Sequence, residues 1–475
     1  MGSGHRGREF PLLLPLLALF CGPARAAARA VPSPVQLAWH GRSGAIIHYN
    51  MATDALQTGR SCGRGDWPLA ADPRTFGRSL AGGACPDTDA WVDAVAAGGM
   101  EYAILVAKHN CGFVTWPTAV TLPDGRAYGY SIANSSAPAG CDVIARFVAS
   151  CAARGIRPAF YYSFMTNMYL NVEGGLVSNE TLMPGQELVT QSEFFDIALG
   201  HLGELWRRAP LLEIWADGGI PPALSPLIRA LHAQLQPAAA VYNGYPTFND
   251  SAVRWIGIGG GPAPDPTWSS GSCEMGNAGH GPIPKGGDPD SPLWCPAEVD
   301  STLQGGEVWW WHPPAGLNSL AALVDTYHAS RGRNSNWVLG LSPAPNGTLA
   351  PTHVALLEQL GAWLGACYGA APAASGAMAA GATQLTVAPA GGGSARVNRA
   401  RLREDQTDGQ IVRNYNVTAT LVGGTSVLVA NGTSVGAGKI DVFAQAVEVT
   451  SVTLVTDAAP RGLVLELFEC DEPQR

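Results

Sequence analysis

Between residues 43 and 364, short apolar runs alternate with stretches whose apolar positions recur at helical spacing. The runs at 43–49, 102–109, 156–164, 211–217, 239–244, 253–258, 307–313 and 336–343 read as strands. The stretches at 88–98, 141–154, 193–208, 223–235, 319–329 and 351–364 read as helices, the first capped by Thr88 or Asp87. "YAILVAKH" (102–109) is almost continuously apolar, the pattern of a strand buried on both faces of a parallel sheet. About eight strands alternating with helices predict an α/β fold, a (β/α)8-type barrel. His48, His109, Asp217 and Asn243 fall at strand ends, the rim where such barrels place their sites. A doubly wound open sheet is the competing topology, but no glycine-rich dinucleotide loop follows the first strand.

The pattern changes near residue 370. "GAAPAASGAMAAGA" reads as a small-residue linker, and the β-branched runs after it predict a C-terminal β-sandwich domain over 371–475, bracing the barrel domain of 31–370. The first 30 residues have arginines, then an apolar stretch over 10–21, then small residues: the layout of a secretory signal peptide. No later segment reads as transmembrane. The secretory route leads to the extracellular space, the cell wall or the vacuole. Ten cysteines, nine after leader removal, predict several disulfides and one leftover thiol, with Cys62–Cys85 and Cys273–Cys295 as local pairs. Asn134, Asn346, Asn416 and Asn431 stand in glycosylation sequons. Net charge is −9, with no long basic block, which argues against a nucleic-acid partner. No Cys-x-x-Cys or His-Glu-x-x-His spacing marks a metal site.

The candidate chemistry centres on "LLEIWADGG" (211–219), an apolar strand that ends on Asp217 and two glycines. A turn or cap aspartate is the bland reading; a carboxylate at the barrel mouth is the functional one. His109 in "AKHNCGF" and His48 predict a polar pocket, and the many nearby tryptophans offer faces for stacking on sugar rings or filling a core.

Taken in order, "SGAIIHYN", "GDW" (65–67), "YAILVAKHNCGFVTWPT", "LLEIWADGG" and "VDTYHASRGRNSNWVLGLSPAPNGTL" resemble the α-L-fucosidases of glycoside hydrolase family 29, plant-like branch, from about residue 35 to the C-terminus. The resemblance implies a retaining exo-α-L-fucosidase acting on fucosylated oligosaccharides or glycoprotein glycans, with no metal or organic cofactor. It implies Asp217 as nucleophile. It implies His48, Asp66, Trp67, His109, Trp116, Tyr162 and Glu298 around the substrate. The chain departs from the family pattern at Asp66, where Glu is usual, and at three further places. Asn110 and Cys111 replace His and Asp after His109, and Gly259 in "VRWIGIGGGP" stands where the branch has its acid/base Glu. Glycine cannot donate a proton, so another carboxyl group must act or catalysis is weak. Glu274 on the following loop is the preferred substitute, with Glu298 and Asp66 as alternatives. A catalytically weak or inactive fucose-binding relative, or a glycosidase of changed sugar specificity, are the competing functions.

Overall fold

The computed structural model describes residues 29–473 apart from 58, 60, 257–261 and 275–284. All but the last two residues of the expected leader, and Gly259, lie outside the described residues. Eight parallel strands close a barrel: β1 (Ser43–Ile47), β2 (Tyr102–Lys108), β3 (Arg157–Ser163), β4 (Glu213–Asp217), β5 (Ala240–Tyr242), β6 (Ala252–Trp255), β7 (Ala297–Thr302) and β8 (Ser335–Leu341). Closure runs through β1, whose Gly44 pairs with Val338 on β8 and with Tyr102 on β2. Every residue of β1, β2, β7 and β8 is buried, as expected of strands enclosed by a lumen and an outer helical layer.

The outer helices are α1 (Thr88–Ala97), α2 (Val143–Arg154), α3 (Gln191–Leu205), α4 (Ser225–Leu235), α5 (Leu320–His328) and α6 (Pro351–Tyr368). Their starts follow from local chemistry. The Asp87 carboxylate accepts the Ala90 N–H and the Asp142 carboxylate accepts the Ala145 N–H, while Thr190 and Glu193 form a reciprocal capping box on α3. Among the described residues, no helix is long and apolar enough to cross a membrane.

Two expectations change here. The seventh barrel strand is β7, Ala297–Thr302, and not 307–313. β7 carries Glu298, Asp300, Ser301 and Thr302, so its apolar signal is weak although all of it is buried. Trp309 and Trp310 instead lie in a rim loop. The small-residue segment after residue 370 is not merely a linker, since it holds the strand Ala374–Ala377.

The C-terminal strands are β9 (Ala374–Ala377), β10 (Gln384–Val387), β11 (Ala395–Arg403), β12 (Tyr415–Leu421), β13 (Ser426–Gly432), β14 (Lys439–Thr456) and β15 (Val464–Phe468). They form one antiparallel sheet folded on itself into a sandwich. β14, 18 residues long, pairs with β11 through its first half and with β10 and β12 through its second. Val397, Leu402, Val417, Val452 and Leu465 fill the space between the layers.

Among the described residues four disulfides form: Cys62–Cys111, Cys85–Cys141, Cys273–Cys295 and Cys367–Cys470, with Cys151 a buried free thiol. Cys273–Cys295 and the single leftover thiol match expectation. Cys62–Cys85 does not form, because each partner meets a cysteine from a different βα segment. Cys62 joins the loop after β1 to Cys111, just after β2.

Candidate active site

A cavity of about 570 Å³ opens at the C-terminal mouth of the barrel. One wall is a file of rings from successive strands. His109, just past β2, stacks on Tyr161 of β3 at 5.3 Å. Tyr161 stacks on Trp215 of β4 at 5.3 Å, and Trp215 on Tyr242 of β5 at 4.0 Å. The rim loop after β7 supplies Trp309 and Trp310, which pack against His48 at 5.2 Å each. Asp66, Asn243, Trp255 and Asp300 also line the cavity.

Asp217 ends β4 inside this cavity. Its Oδ2 accepts the Tyr161 hydroxyl at 2.5 Å. Burial raises its carboxyl above the ordinary value, and the Tyr161 O–H, the Gly218 N–H and Lys108 pull it back. Gly218 and Gly219 have φ of +71° and +88°, a conformation that side chains disfavour. A Cβ on Gly218 would stand 2.8 Å from Met165 Cγ, so the chain can leave the strand here only as glycine.

Both cavity histidines are neutral. Burial pushes His48 down to about 3. Burial, then the proximity of His48 and Lys108, holds His109 well below the usual imidazole range. A neutral imidazole offers one donor and one acceptor, which suits hydroxyl groups. The His109 Nδ1 and the Tyr242 hydroxyl are buried with no hydrogen-bond partner among the described residues. Asp300, on β7, accepts the Trp255 indole N–H on Oδ1 at 3.0 Å. Burial pushes its carboxyl up to about 6, with the Asp217 and Glu307 charges adding to the rise.

Of the residues singled out from sequence, His48, Asp66, His109, Asp217 and Asn243 meet in this cavity. Trp67, Trp116, Tyr162, Glu274 and Glu298 are not among the described residues that line it. Trp67 is buried and donates to the Pro184 carbonyl. Trp116 donates to Glu204 behind β2. Tyr162 bonds His201 on α3, since it faces outward where its neighbour Tyr161 faces the lumen. Glu298 lies inside the barrel beneath the cavity, accepting the Trp215 N–H at 2.9 Å and the Tyr102 O–H at 2.8 Å. Burial keeps its carboxyl and that of Glu213 well above the ordinary range. Glu274 is exposed on the loop before residue 275. Asp265, a further loop acid, pairs with Lys439 of the C-terminal sheet.

Asn110 accepts the Ser163 hydroxyl, and Cys111 is the disulfide partner of Cys62. Asn110 therefore ties the loop after β2 to the end of β3, and Cys111 ties it to the loop after β1. The sequence reading missed Tyr161, Tyr242 and Asp300, and named Trp215 only among the tryptophans suited to stacking or to a core. Tyr161 and Tyr242 lie at or within two residues of strand ends, which is the one sequence signal they carry; the strand of Asp300 gave none.

The family model described as "Alpha-L-fucosidase" matches residues 86–369. A protein of Oryza sativa subsp. japonica bearing an alpha-L-fucosidase name is 30% identical over 345 residues, covering 69% of this chain and 58% of its own length. Alpha-L-fucosidase 1 of Arabidopsis thaliana is 26% identical over 347 residues, covering 69% of this chain and 59% of its own. The match thus spans under two thirds of either plant protein. Among solved structures, a Bacteroides thetaiotaomicron protein bearing the same family name superposes with a TM-score of 0.77 at 26% identity, covering 93% of this chain and 100% of that one. A Ruminococcus gnavus glycoside hydrolase family 29 fucosidase in complex with fucose shares the fold, with a TM-score of 0.74 at 17% identity, covering 95% and 98%.

Proposed function

The chain belongs to the alpha-L-fucosidase family, and on that premise we propose that it is a retaining exo-α-L-fucosidase with Asp217 as nucleophile. It removes terminal α-L-fucose from oligosaccharides or glycoprotein glycans. The observation that carries this reading is the Asp217 carboxylate at the barrel mouth, beside two neutral histidines and a file of aromatic rings. Fucose is a 6-deoxy sugar. Its ring faces and methyl group suit the rings of Tyr161, Trp215 and Tyr242, and its hydroxyls suit His48 and His109. The unpartnered Tyr242 hydroxyl and His109 Nδ1 favour a ligand rich in hydroxyls over an apolar one.

In the first step an Asp217 carboxylate oxygen bonds to the anomeric carbon as the bond to the glycosidic oxygen breaks. In the second, water attacks that carbon and the Asp217 ester bond breaks, so configuration is retained. The Tyr161 O–H and the Gly218 N–H favour the ionised carboxylate against the burial that raises it, and aim it for attack. Four disulfides support a protein that matures in the secretory route.

The test is hydrolysis of an aryl α-L-fucoside beside aryl glycosides of other sugars, with the first-formed anomer read by NMR. α-L-Fucose as the first product, and a fall on the order of 10⁴-fold or more in Asp217→Ala, are expected. Fucose binding without turnover of any fucoside would make the chain a binding protein. Preference for another glycoside would change the sugar.

A further inference from the structure

A retaining glycosidase needs a second carboxyl group that gives a proton to the leaving oxygen and then takes one from water. Among the described residues three aspartates line the cavity: Asp66, Asp217 and Asp300. Asp66 sits on the loop after β1, where its Oδ2 accepts the Gly63 N–H. Asp217 and Asp300 are the two carried by barrel strands, β4 and β7, which lie three steps apart around the closed sheet. Both side chains enter the cavity. Between them stands Tyr242 of β5, whose hydroxyl is buried with no hydrogen-bond partner among the described residues.

Asp300 also stands beside the strand end that the sequence makes conspicuous. β6 and β7 are parallel neighbours, with Trp255 paired to Glu298. Two residues on, Asp300 reaches back to the Trp255 indole N–H. The segment leaving β6 beyond Trp255 is the one that carries Gly259 in place of a carboxylate.

We propose that Asp300 is the acid/base residue of this enzyme. This rests on the fucosidase reading above. The Trp255 N–H occupies Oδ1, so Oδ2 carries the transferable proton. In the first step the Oδ2 proton passes to the glycosidic oxygen as its bond to the anomeric carbon breaks and the bond to Asp217 forms. In the second, the Asp300 carboxylate takes a proton from the attacking water, the new carbon–oxygen bond forms, and Asp217 departs. Asp300 ends protonated and Asp217 ionised, ready for the next turnover. Burial and the Asp217 and Glu307 charges favour the protonated start.

The experiment compares Asp300→Asn and Asp300→Ala with wild type on an aryl α-L-fucoside and on an unactivated fucosyl disaccharide, with and without azide. Asn keeps the acceptor for Trp255, and thermal melting with fucose titration reports folding of each variant. Disaccharide turnover is expected to fall by about 10²–10⁴-fold, with the first step on the aryl substrate far less affected. Azide is expected to speed aryl turnover by Asp300→Ala and to yield α-L-fucosyl azide. In Asp217→Ala it would yield the β-anomer, because azide then enters from the nucleophile's side. Equal losses on both substrates without azide rescue, in folded fucose-binding variants, would overturn the assignment and leave the fucosidase reading standing. The same would follow if leaving-group-selective loss and rescue appeared in Asp66→Asn or Glu274→Gln instead. Failure of wild type on every fucoside would overturn the underlying reading and this one with it.

Discussion

Asp217 is half-buried at the barrel mouth, yet as the proposed nucleophile it has to be ionised to attack carbon. Burial raises its carboxyl, and the Tyr161 hydroxyl lowers it again. Tyr161→Phe removes that donor, so Asp217 titrates higher. The acid limb of kcat/KM should then move to higher pH. A hydrogen bond to a charged group is worth about 1.5–3 kcal/mol, so activity on that limb should fall roughly ten- to a hundredfold. A pH–rate profile of the variant checks both. As the proposed acid, Asp300 has the opposite requirement: it must be protonated at the start. Its neighbours are Asp217 from β4, Tyr242 from β5, the Trp255 N–H from β6, Glu298 below it on β7 and Glu307 from the rim loop. With its carboxyl pushed up to about 6, kcat/KM should decline as pH rises through that value. Asp300→Asn should abolish that basic limb; a limb unchanged in the variant would assign it to another group.

At the scale of elements, the site depends on loops held at the right height above the strands. The Cys62–Cys111 disulfide joins the loop bearing Gly59, Ser61 and Asp66 to the segment after His109. It closes a loop of 49 residues, which constrains the unfolded chain by about 4 kcal/mol on the entropic account. The double variant Cys62→Ser/Cys111→Ser should lose stability up to that amount in calorimetry. Because both loops meet the cavity, KM should rise more than kcat falls. β7 shows the limit of reading elements from pattern. Its polar residues are buried because they face the lumen or neighbouring strands, and Glu298 is satisfied there by Trp215 and Tyr102. A strand that lines a functional lumen loses the apolar signal that would reveal it.

Across the whole molecule, the C-terminal sandwich is bound to the barrel by buried polar contacts. Gln410 accepts the Ser269 N–H at 2.8 Å and the Asn334 side-chain amide at 3.1 Å, and donates to Ser434 at 2.7 Å. Cys367–Cys470 joins α6 to the end of the sandwich. All 14 tryptophans precede residue 370, so their fluorescence reports the barrel alone. Gln410→Ala leaves buried groups unpaired at about 1–3 kcal/mol each. The denaturant midpoint read by tryptophan fluorescence should therefore drop by about 2–3 kcal/mol equivalent. An unchanged midpoint would mean that barrel and sandwich unfold independently.

Hydrophobic periodicity is a local property, and by itself it determined the alternation of strands and helices, the barrel, and the change to β-structure near the C-terminus. The same local logic placed His48, His109 and Asp217 at strand ends, because a strand buried on both faces can carry a polar group with least cost at its rim. Other features depended on which chain segments approach one another. Tyr161 and Tyr162 are adjacent and chemically alike; only closure of the sheet decides which faces the lumen, since one residue reverses the face. Cys62 has a cysteine 23 positions on, yet it pairs with Cys111 because two rim loops meet there. Asp300 lies on a strand whose pattern conceals it, and it becomes a candidate only when β6 and β7 pair and bring it to Trp255 and the cavity. The element signal is written in spacing along the chain. The proposed second carboxyl group is written in contacts across the barrel, which spacing does not record.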